Sequence, residues 1–295
     1  MKRPLVYIII LNWNGWRDTL ECVASCRKLA YENARIVVID NGSTDDSETI
    51  LRQDLPDVEL IQSGSNLGFA GGNNVGMRLA LQRGAEYIWL LNNDTTVDPY
   101  ALNTLVEAAE QDRRIGIVGS LIYTFSEPRT VWFAGGFWKF GKLFFTIRAA
   151  DDSGGAHFDR VEEVEFITGC SLLIRAETVR DIDMLDEKYF LYWEDNEWNA
   201  RAAEHAWKIL FEPRSIIWHK VSSSFNLKTD TQAYYYLRNK LLFYAQHAPA
   251  ALPVVFCFTL LGALRHIFSG RSNFARGYFS GMKDFFLGRF GIRRT

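Results

Sequence analysis

Cysteine is scarce in this chain of 295 residues: four occur, Cys22, Cys26, Cys170 and Cys257, and they form neither a CxxC pair nor a Cys/His zinc spacing. A disulfide framework and a structural zinc site are therefore excluded, and all four read as buried thiols of a reducing compartment. No internal repeat or low-complexity segment occurs, and at 48% hydrophobic and 23% charged residues disorder is excluded as the default state. The start, MKRPLVYIIIL, has two basic residues before an apolar run, but the run covers only Leu5 to Leu11 and ends at Asn12-Trp13-Asn14 without a small-residue cleavage site. A buried first strand is expected there rather than a signal peptide. The phosphate-loop lysine is missing too: the glycines at 68, 71 and 72 follow neither the P-loop nor the GxGxxG pattern.

Charge is low overall, at -2, but unevenly spread. Seven basic residues (Arg265, Arg271, Arg276, Lys283, Arg289, Arg293, Arg294) stand against Asp284 between 265 and the end, so this tail is +6 and the rest -8. A basic end suits an anionic surface, whereas the acidic body argues against nucleic acid as a partner.

Short apolar runs recur at Leu5–Leu11, Arg35–Ile39, Val58–Ile61, Tyr87–Leu91 and Ile115–Val118. Helical spacing fills the gaps, through Leu20, Val23 and Cys26, through Asn74–Leu81, and through Leu102, Leu105, Val106 and Ala109. The alternation predicts an α/β fold, a mostly parallel central sheet flanked by helices, with ligands bound at the strand C-termini. Beyond residue 120, Val131–Phe140 and Lys142–Ile147 predict a hairpin, and Ala149–Arg160 a mobile loop.

Several polar loops follow the apolar runs directly. Asp40 closes the second; a carboxylate there can accept from the ring N–H of uracil or thymine, or Asp40–Asp45 can be a turn in which Asp45 and Glu48 form a capping box. The loop from Asn66 through Gly68 to Asn73 allows close approach of a backbone to a ligand. Asn92-Asn93-Asp94 precedes a helix begun near Pro99, and Asp94 can hold a hard divalent cation or, like Asp98, cap that helix. Glu194, Asp195 and Glu197 open a helix running to about His205; they complement its dipole, yet the four large apolar residues before them suggest a desolvated pocket where a carboxylate becomes a stronger base. Trp218-His219 closes a short strand, Ser215–Trp218.

Taken in order, Asn12-Trp13-Asn14, Asp40 to Asp45, Asn66-Leu67-Gly68, Leu91-Asn92-Asn93-Asp94, Thr168-Gly169-Cys170, Glu194-Asp195 and Trp218-His219 resemble the family 2 glycosyltransferases of GT-A (Rossmann-like) fold. Within that family, LNNDT and Tyr235-Tyr236-Leu237-Arg238-Asn239-Lys240 are similar to the rhamnosyltransferase-like branch of bacterial surface polysaccharide synthesis. The resemblance implies a nucleoside diphosphate sugar (dTDP or UDP), contacted through Asn12, Asn14, Asp40, Asn66, Gly68, Asn73, Asn92, Asn93 and Gly169, and a glycan or lipid-linked acceptor. Asp40 would read the base, while Asn92, standing where the family commonly has aspartate, would face the ribose. Asp94 and His219 would bind Mg²⁺ or Mn²⁺. Asp195 matches the catalytic base, with Glu194 its rival one residue earlier.

The expected division is a catalytic domain over 1–220, its nucleotide half about 1–120 and acceptor half about 121–220, followed by a helical, amphipathic appendage over 221–295. Within the appendage, Ala248–Leu264 is uncharged but interrupted by Pro249 and Pro253, so a segment lying on the cytoplasmic membrane surface is expected in preference to a span. Phe274, Tyr278, Met282, Phe285 and Phe286 form its expected lipid-facing stripe. Two other functions fit parts of the pattern: a sugar-nucleotide nucleotidyltransferase, for which Asn12-Trp13-Asn14-Gly15 is not the basic phosphate loop required, and a non-catalytic sugar-nucleotide sensor or membrane scaffold, which does not need Asp94, Asp195 and His219 together.

Overall fold

A β-branched run without a helical face makes a poor helix and a good central strand, and Val6–Asn12 forms strand β1, buried along nearly its whole length. The computed structural model describes residues 3–139, 142–148, 158–220, 229–268 and 272–293. From β1 the chain continues through α1 (Trp16–Cys26), β2 (Ala34–Asp40), α2 (Ser47–Asp54), β3 (Glu59–Gln62), α3 (Gly68–Gln82), β4 (Tyr87–Asn92), β5 (Thr95–Val97) and α4 (Ala101–Ala109). Next come β6 (Ile115–Thr124), β7 (Val131–Phe133), β8 (Gly136–Lys139), β9 (Phe144–Ile147), β10 (Glu162–Glu163), β11 (Ser171–Arg175), α5 (Ala176–Ile182), α6 (Glu194–Glu204) and β12 (Lys208–His219). Three helices follow: α7 (Asp230–His247), α8 (Leu252–Phe268) and α9 (Ser272–Phe286).

The central sheet runs β10-β12-β6-β11-β4-β1-β2-β3, with β5 added to β12 and β7 to β6. β3, β2, β1 and β4 are parallel, as are β6 and β12, while β11 lies antiparallel between β4 and β6. Asn12 pairs in register with Asp40, and Leu11 with Asn92, so the polar ends of β1, β2 and β4 open onto one edge. Ligands bind at such an edge in α/β sheets.

The late strand is longer than its apolar core implies. β12 shifts register between Glu212 and Ile216, where Pro213 cannot donate to the ladder, and then resumes beside β6. Past the shift it pairs antiparallel with β5, setting His219 opposite Thr95, and Lys220 N–H donates to the Asp94 carbonyl at 2.9 Å. Two residues far apart in sequence are thereby made neighbours.

Other departures from the sequence reading have local causes. β8 and β9 make the hairpin, but β7 leaves it to pair with β6. The expected mobile loop lies largely outside the described residues, at 149–157, while Phe158 packs against Phe211. No capping box forms at Asp45, because Glu48 is drawn away to Arg52 and Gln62. The helix expected from Asn74 begins at Gly68, so most of the glycine loop is helical. Cys22, Cys26 and Cys170 are buried, but Cys257 is exposed on an outward face of α8.

A second apolar core joins α7, α8 and α9 to Tyr189, Trp193 and Ala200. Tyr278, Met282 and Phe285 belong to it, so most of the stripe expected to face lipid packs inward against neighbouring helices. The exposed apolar residues lie instead mainly on α8, at Val254, Phe258, Leu261, Ile267 and Phe268, with Phe286 and Leu287 nearby.

Candidate active site

The polar edge divides into two parts. On the β1–β2–β3 side, Asp40 is buried, and its carboxylate accepts from Asn12 Nδ2 at 2.8 Å, from Ser43 Oγ and from Gln62 Nε2 at 2.6 Å. An ionised carboxylate has about four acceptor sites. Three donors already occupy this one and it has no exposed surface, so a further donor would compete with Asn12, Ser43 or Gln62. Asn12 Oδ1 accepts from Thr19, and Asn14 Oδ1 accepts from the Thr44 backbone at 2.8 Å, so both asparagines brace the loop after β2. Asn66 accepts from Gly68 N–H, whereas Asn73 donates back along its own helix to the Phe69 carbonyl. Gly68 has φ +74°, and a Cβ there would lie 2.2 Å from the Phe190 carbonyl oxygen; glycine at this position serves a close crossing of chains. Asn93 Nδ2 donates to Thr19 Oγ1 at 3.0 Å.

The other part is a cavity of about 420 Å³, which brings together Asn92, Asp94, Gly169, Glu194, Asp195 and His219. Asn12, Asn14, Asp40, Asn66, Gly68, Asn73 and Asn93 do not line it. Phe69, Trp132, Phe145, Phe166, Tyr192, Trp193 and Tyr236 give it a largely aromatic wall. Buried polar atoms are ordinarily paired. Here Trp193 Nε1, Glu194 Oε2, Asn196 Oδ1 and His219 Nδ1 have no hydrogen-bond partner among the described residues, and all four residues line this space. Such a cavity suits a ligand with both polar groups and an apolar face.

At the start of α6 the two acids differ in environment. Asp195 Oδ2 accepts from Gly169 N–H at 3.0 Å and Oδ1 from Asn196 N–H at 2.9 Å. Burial raises its pKa, and these N–H donors hold the rise back by stabilising the anion. Glu194 is pushed well above the usual carboxylate range by burial and by the adjoining Asp195 charge. Of this pair, Asp195 is the one whose charge two N–H donors stabilise.

Across the cavity Asp94 Oδ1 and His219 Nε2 are 3.1 Å apart, both largely buried. Desolvation alone would lower the histidine pKa, but Cys170 and Asp94 beside it raise it to about 10. The Trp132 ring meets the imidazole edge-on at 4.6 Å between centroids. Among the described residues no three His, Cys, Asp or Glu side chains converge as a metal cluster, and Asp94 with His219 is the pair that would hold a cation here. A carboxylate and an imidazole at this separation fit Mg²⁺ or Mn²⁺, since adjacent ligands of an octahedral ion bound at about 2.1 Å lie about 3 Å apart and substrate phosphates commonly complete the shell.

Sequence reasoning did not single out Trp132, Phe69, Phe166, Tyr192, Trp193, Asn196 or Tyr236 as site residues. Tyr236 sits within the Tyr235–Lys240 motif, and Trp132 within an aromatic stretch that signalled only a hairpin. Neither pattern says which way a ring points.

Comparison with known proteins bears on the family and the fold. Residues 7–176 match the sequence model of a family described as Glycosyl transferase family 2. The N-acetylglucosaminyl-diphospho-decaprenol L-rhamnosyltransferase of Mycobacterium tuberculosis is 26% identical over 233 residues, covering 70% of this chain and 73% of its own. Among solved structures, GalNAc-T7 with UDP, GalNAc and Mn²⁺ superposes with a TM-score of 0.62 at 16% identity over 82% of this chain, which spans 48% of that protein. The mannosyltransferase PcManGT from Pyrobaculum calidifontis, in complex with GDP-Man and Mn²⁺, superposes with a TM-score of 0.61 at 14% identity, covering 98% of this chain and 89% of that one.

Proposed function

The chain belongs to glycosyl transferase family 2 and has the GT-A fold, and from that premise we propose that it is a metal-dependent, inverting enzyme moving a sugar from a dTDP- or UDP-sugar to an acceptor hydroxyl. The supporting observation is the meeting, in one cavity, of the Asp94–His219 pair with Asp195. Asp195 draws the proton from the acceptor hydroxyl as that oxygen bonds to the anomeric carbon, and the electron pair of the breaking C–O bond leaves with the diphosphate. Displacement in one step inverts the carbon and needs no covalent enzyme intermediate. Asp94 and His219 would hold Mg²⁺ or Mn²⁺, which supplies neutralising charge to the diphosphate. Asp40 receives the base, with Asn12, Asn14, Asn66, Gly68, Asn73, Asn92, Asn93 and Gly169 forming or bracing the donor site. The nucleotidyltransferase reading falls with the family assignment.

Our favoured donor is dTDP-rhamnose, and our favoured acceptor a lipid-linked or polysaccharide precursor; the relative named for a diphospho-decaprenol rhamnosyltransferase supports the sugar and the lipid-linked acceptor. The aromatic wall offers sugar rings and an adjoining apolar group a surface to stack on. Purified protein incubated with a panel of dTDP- and UDP-sugars should release nucleoside diphosphate fastest with dTDP-rhamnose and only slowly without a lipid-linked acceptor. Release from every other donor but not from dTDP-rhamnose would discard that sugar.

We further propose that residues 1–220 carry the catalytic side chains, and that 221–295, which adds Tyr236 to the cavity wall, rests on the cytoplasmic face of the plasma membrane. Pro249–Phe268 is long and apolar enough to cross a membrane, but the exposed Arg265 within it and the exposed Arg276, Lys283 and Arg289 that follow support a surface position. In flotation with anionic vesicles the full chain should rise with the lipid, and Phe258→Glu with Leu261→Glu should weaken binding at least about tenfold, given the transfer energy of two large apolar side chains. Equal flotation of the two proteins removes α8 from the contact.

A further inference from the structure

The segment that delivers Glu194 and Asp195 is held in an unfavourable conformation. Phe190, Tyr192 and Trp193 have φ of 59°, 69° and 72°, the left-handed region that bulky side chains avoid. Such backbone persists only where its surroundings over-determine it. Those surroundings come from α7, far along the chain. Asn239 Nδ2 faces three carbonyl oxygens of this segment, Tyr189, Leu191 at 2.8 Å and Tyr192 at 2.9 Å. Its own Oδ1 accepts from Arg238 Nε at 2.9 Å, and Arg238 Nη2 reaches the Lys188 carbonyl at 3.2 Å. Arg238 Nη1 donates to the Gly291 carbonyl at 2.8 Å and to Tyr234 Oη, which in turn donates to Asp284. Both Arg238 and Asn239 have no exposed surface. From the opposite side Phe69 N–H donates to the Phe190 carbonyl, and the Phe190 ring stacks on Tyr235 at 5.0 Å.

A fully buried arginine bonded mainly to carbonyls is costly to keep, and a hydrophobic residue would serve packing better. We propose that Arg238 and Asn239 are positioning residues for the Asp195 carboxylate: they fix the left-handed turn that aims the first turn of α6 into the cavity. The inference rests on the reading of Asp195 as the base. It also makes α7, and through Gly291 the C-terminal segment, part of the active-site scaffold.

The test uses the full chain and compares Asn239→Ala with Leu241→Ala, a buried core residue of the same helix with no bond to the segment. Transfer kcat, the Kd for nucleoside diphosphate and the melting temperature are measured, all well below the lower Tm. Asn239→Ala should lose roughly 10- to 100-fold in kcat, the usual cost of displacing a catalytic group by about 1 Å, with nucleotide affinity held within about twofold. Its acid limb of the pH–rate profile should move, because a shifted Asp195 loses the Gly169 N–H. Leu241→Ala should lose Tm while keeping kcat within about threefold. Arg238→Lys, which retains the charge without the planar fork, should fall between the two if Asn239→Ala proves insoluble. Equal kcat losses in the Asn239 and Leu241 variants, scaling with Tm, would overturn the proposal. So would a kcat for Asn239→Ala, or for Arg238→Lys where that stands in, close to wild type. Asp195→Asn is run alongside: if it is fully active the base assignment fails, whereas its collapse beside an active Asn239→Ala refutes the positioning role alone.

Discussion

Asp195→Asn should lower turnover by roughly 10²- to 10⁴-fold, the usual worth of a positioned general base. The amide keeps the side chain's size, and its single oxygen can accept from Gly169 or from Asn196 but not from both, since those bonds go to different carboxylate oxygens; nucleoside diphosphate affinity should stay near wild type. Stability should change little, because the loss of one N–H bond opposes a gain of electrostatic origin. The native pKa of Asp195 is raised, so the native state binds its proton more tightly than the unfolded chain does, and ionising this carboxylate costs stability as pH climbs from the unfolded pKa to the native one. Asparagine removes that cost at neutral pH. The same raised pKa sets the acid limb of the wild-type pH–rate profile: kcat/KM should fall as pH drops through it, and the limb should vanish from the residual activity of the variant. Glu194→Gln should cost less, because burial and the Asp195 charge favour the neutral carboxyl, which a neutral amide resembles. Near-normal turnover in Asp195→Asn with collapse in Glu194→Gln would transfer the role of base to Glu194, and near-normal turnover in both would remove it from this helix.

Chelation should abolish transfer, and Asp94→Ala and His219→Ala should each lower activity at least about tenfold at limiting Mg²⁺ or Mn²⁺, as expected for loss of one ligand of that pair. Excess metal should recover part of the loss in each. Binding should also release a proton. The imidazole carries one in its pair with Asp94, and a ligating histidine must be neutral. Cation affinity should therefore weaken as pH falls, and calorimetry in buffers of different ionisation enthalpy should count close to one proton released per ion. Full activity in excess chelator ends the metal assignment, and proton-free binding ends the part assigned to His219.

Strands were the most legible elements in the sequence. The five apolar runs all became strands of the central sheet, because a buried parallel strand needs an unbroken apolar segment and little else produces one of that length. The chemistry-bearing residues were legible only as separate loops. That Asp94 meets His219 depends on the register of β12 against β5 beyond an irregularity at Pro213, which no local pattern encodes. The glycines at 68, 71 and 72 suggested a backbone open to a ligand, yet they lie near Phe190, Leu67 and Leu11 of the same chain. Amphipathic spacing in α9 correctly marked one apolar face, but spacing cannot tell a neighbouring helix from lipid, and that face packs mainly inward. Arg238 and Asn239 stood in the sequence only as part of the Tyr235–Lys240 motif, and the strained turn opposite them suggests a task for them.

The order of strands in the sheet differs from the order in which a ribosome makes them. β4 and β6 are synthesised well before β11, yet β11 ends between them, and β12 closes the other side of β6 later still. A nascent chain that has just produced β6 thus holds apolar strands with open edges and no correct partner. It must keep them from pairing with one another or with other chains until Ser171–Arg175 emerges. His219 is delivered by the final strand, and α7 follows it. Stalled or prematurely ended products of this gene should therefore be aggregation-prone as well as inactive, and full-length yield should respond to translation speed and chaperone supply more than to changes on the finished surface.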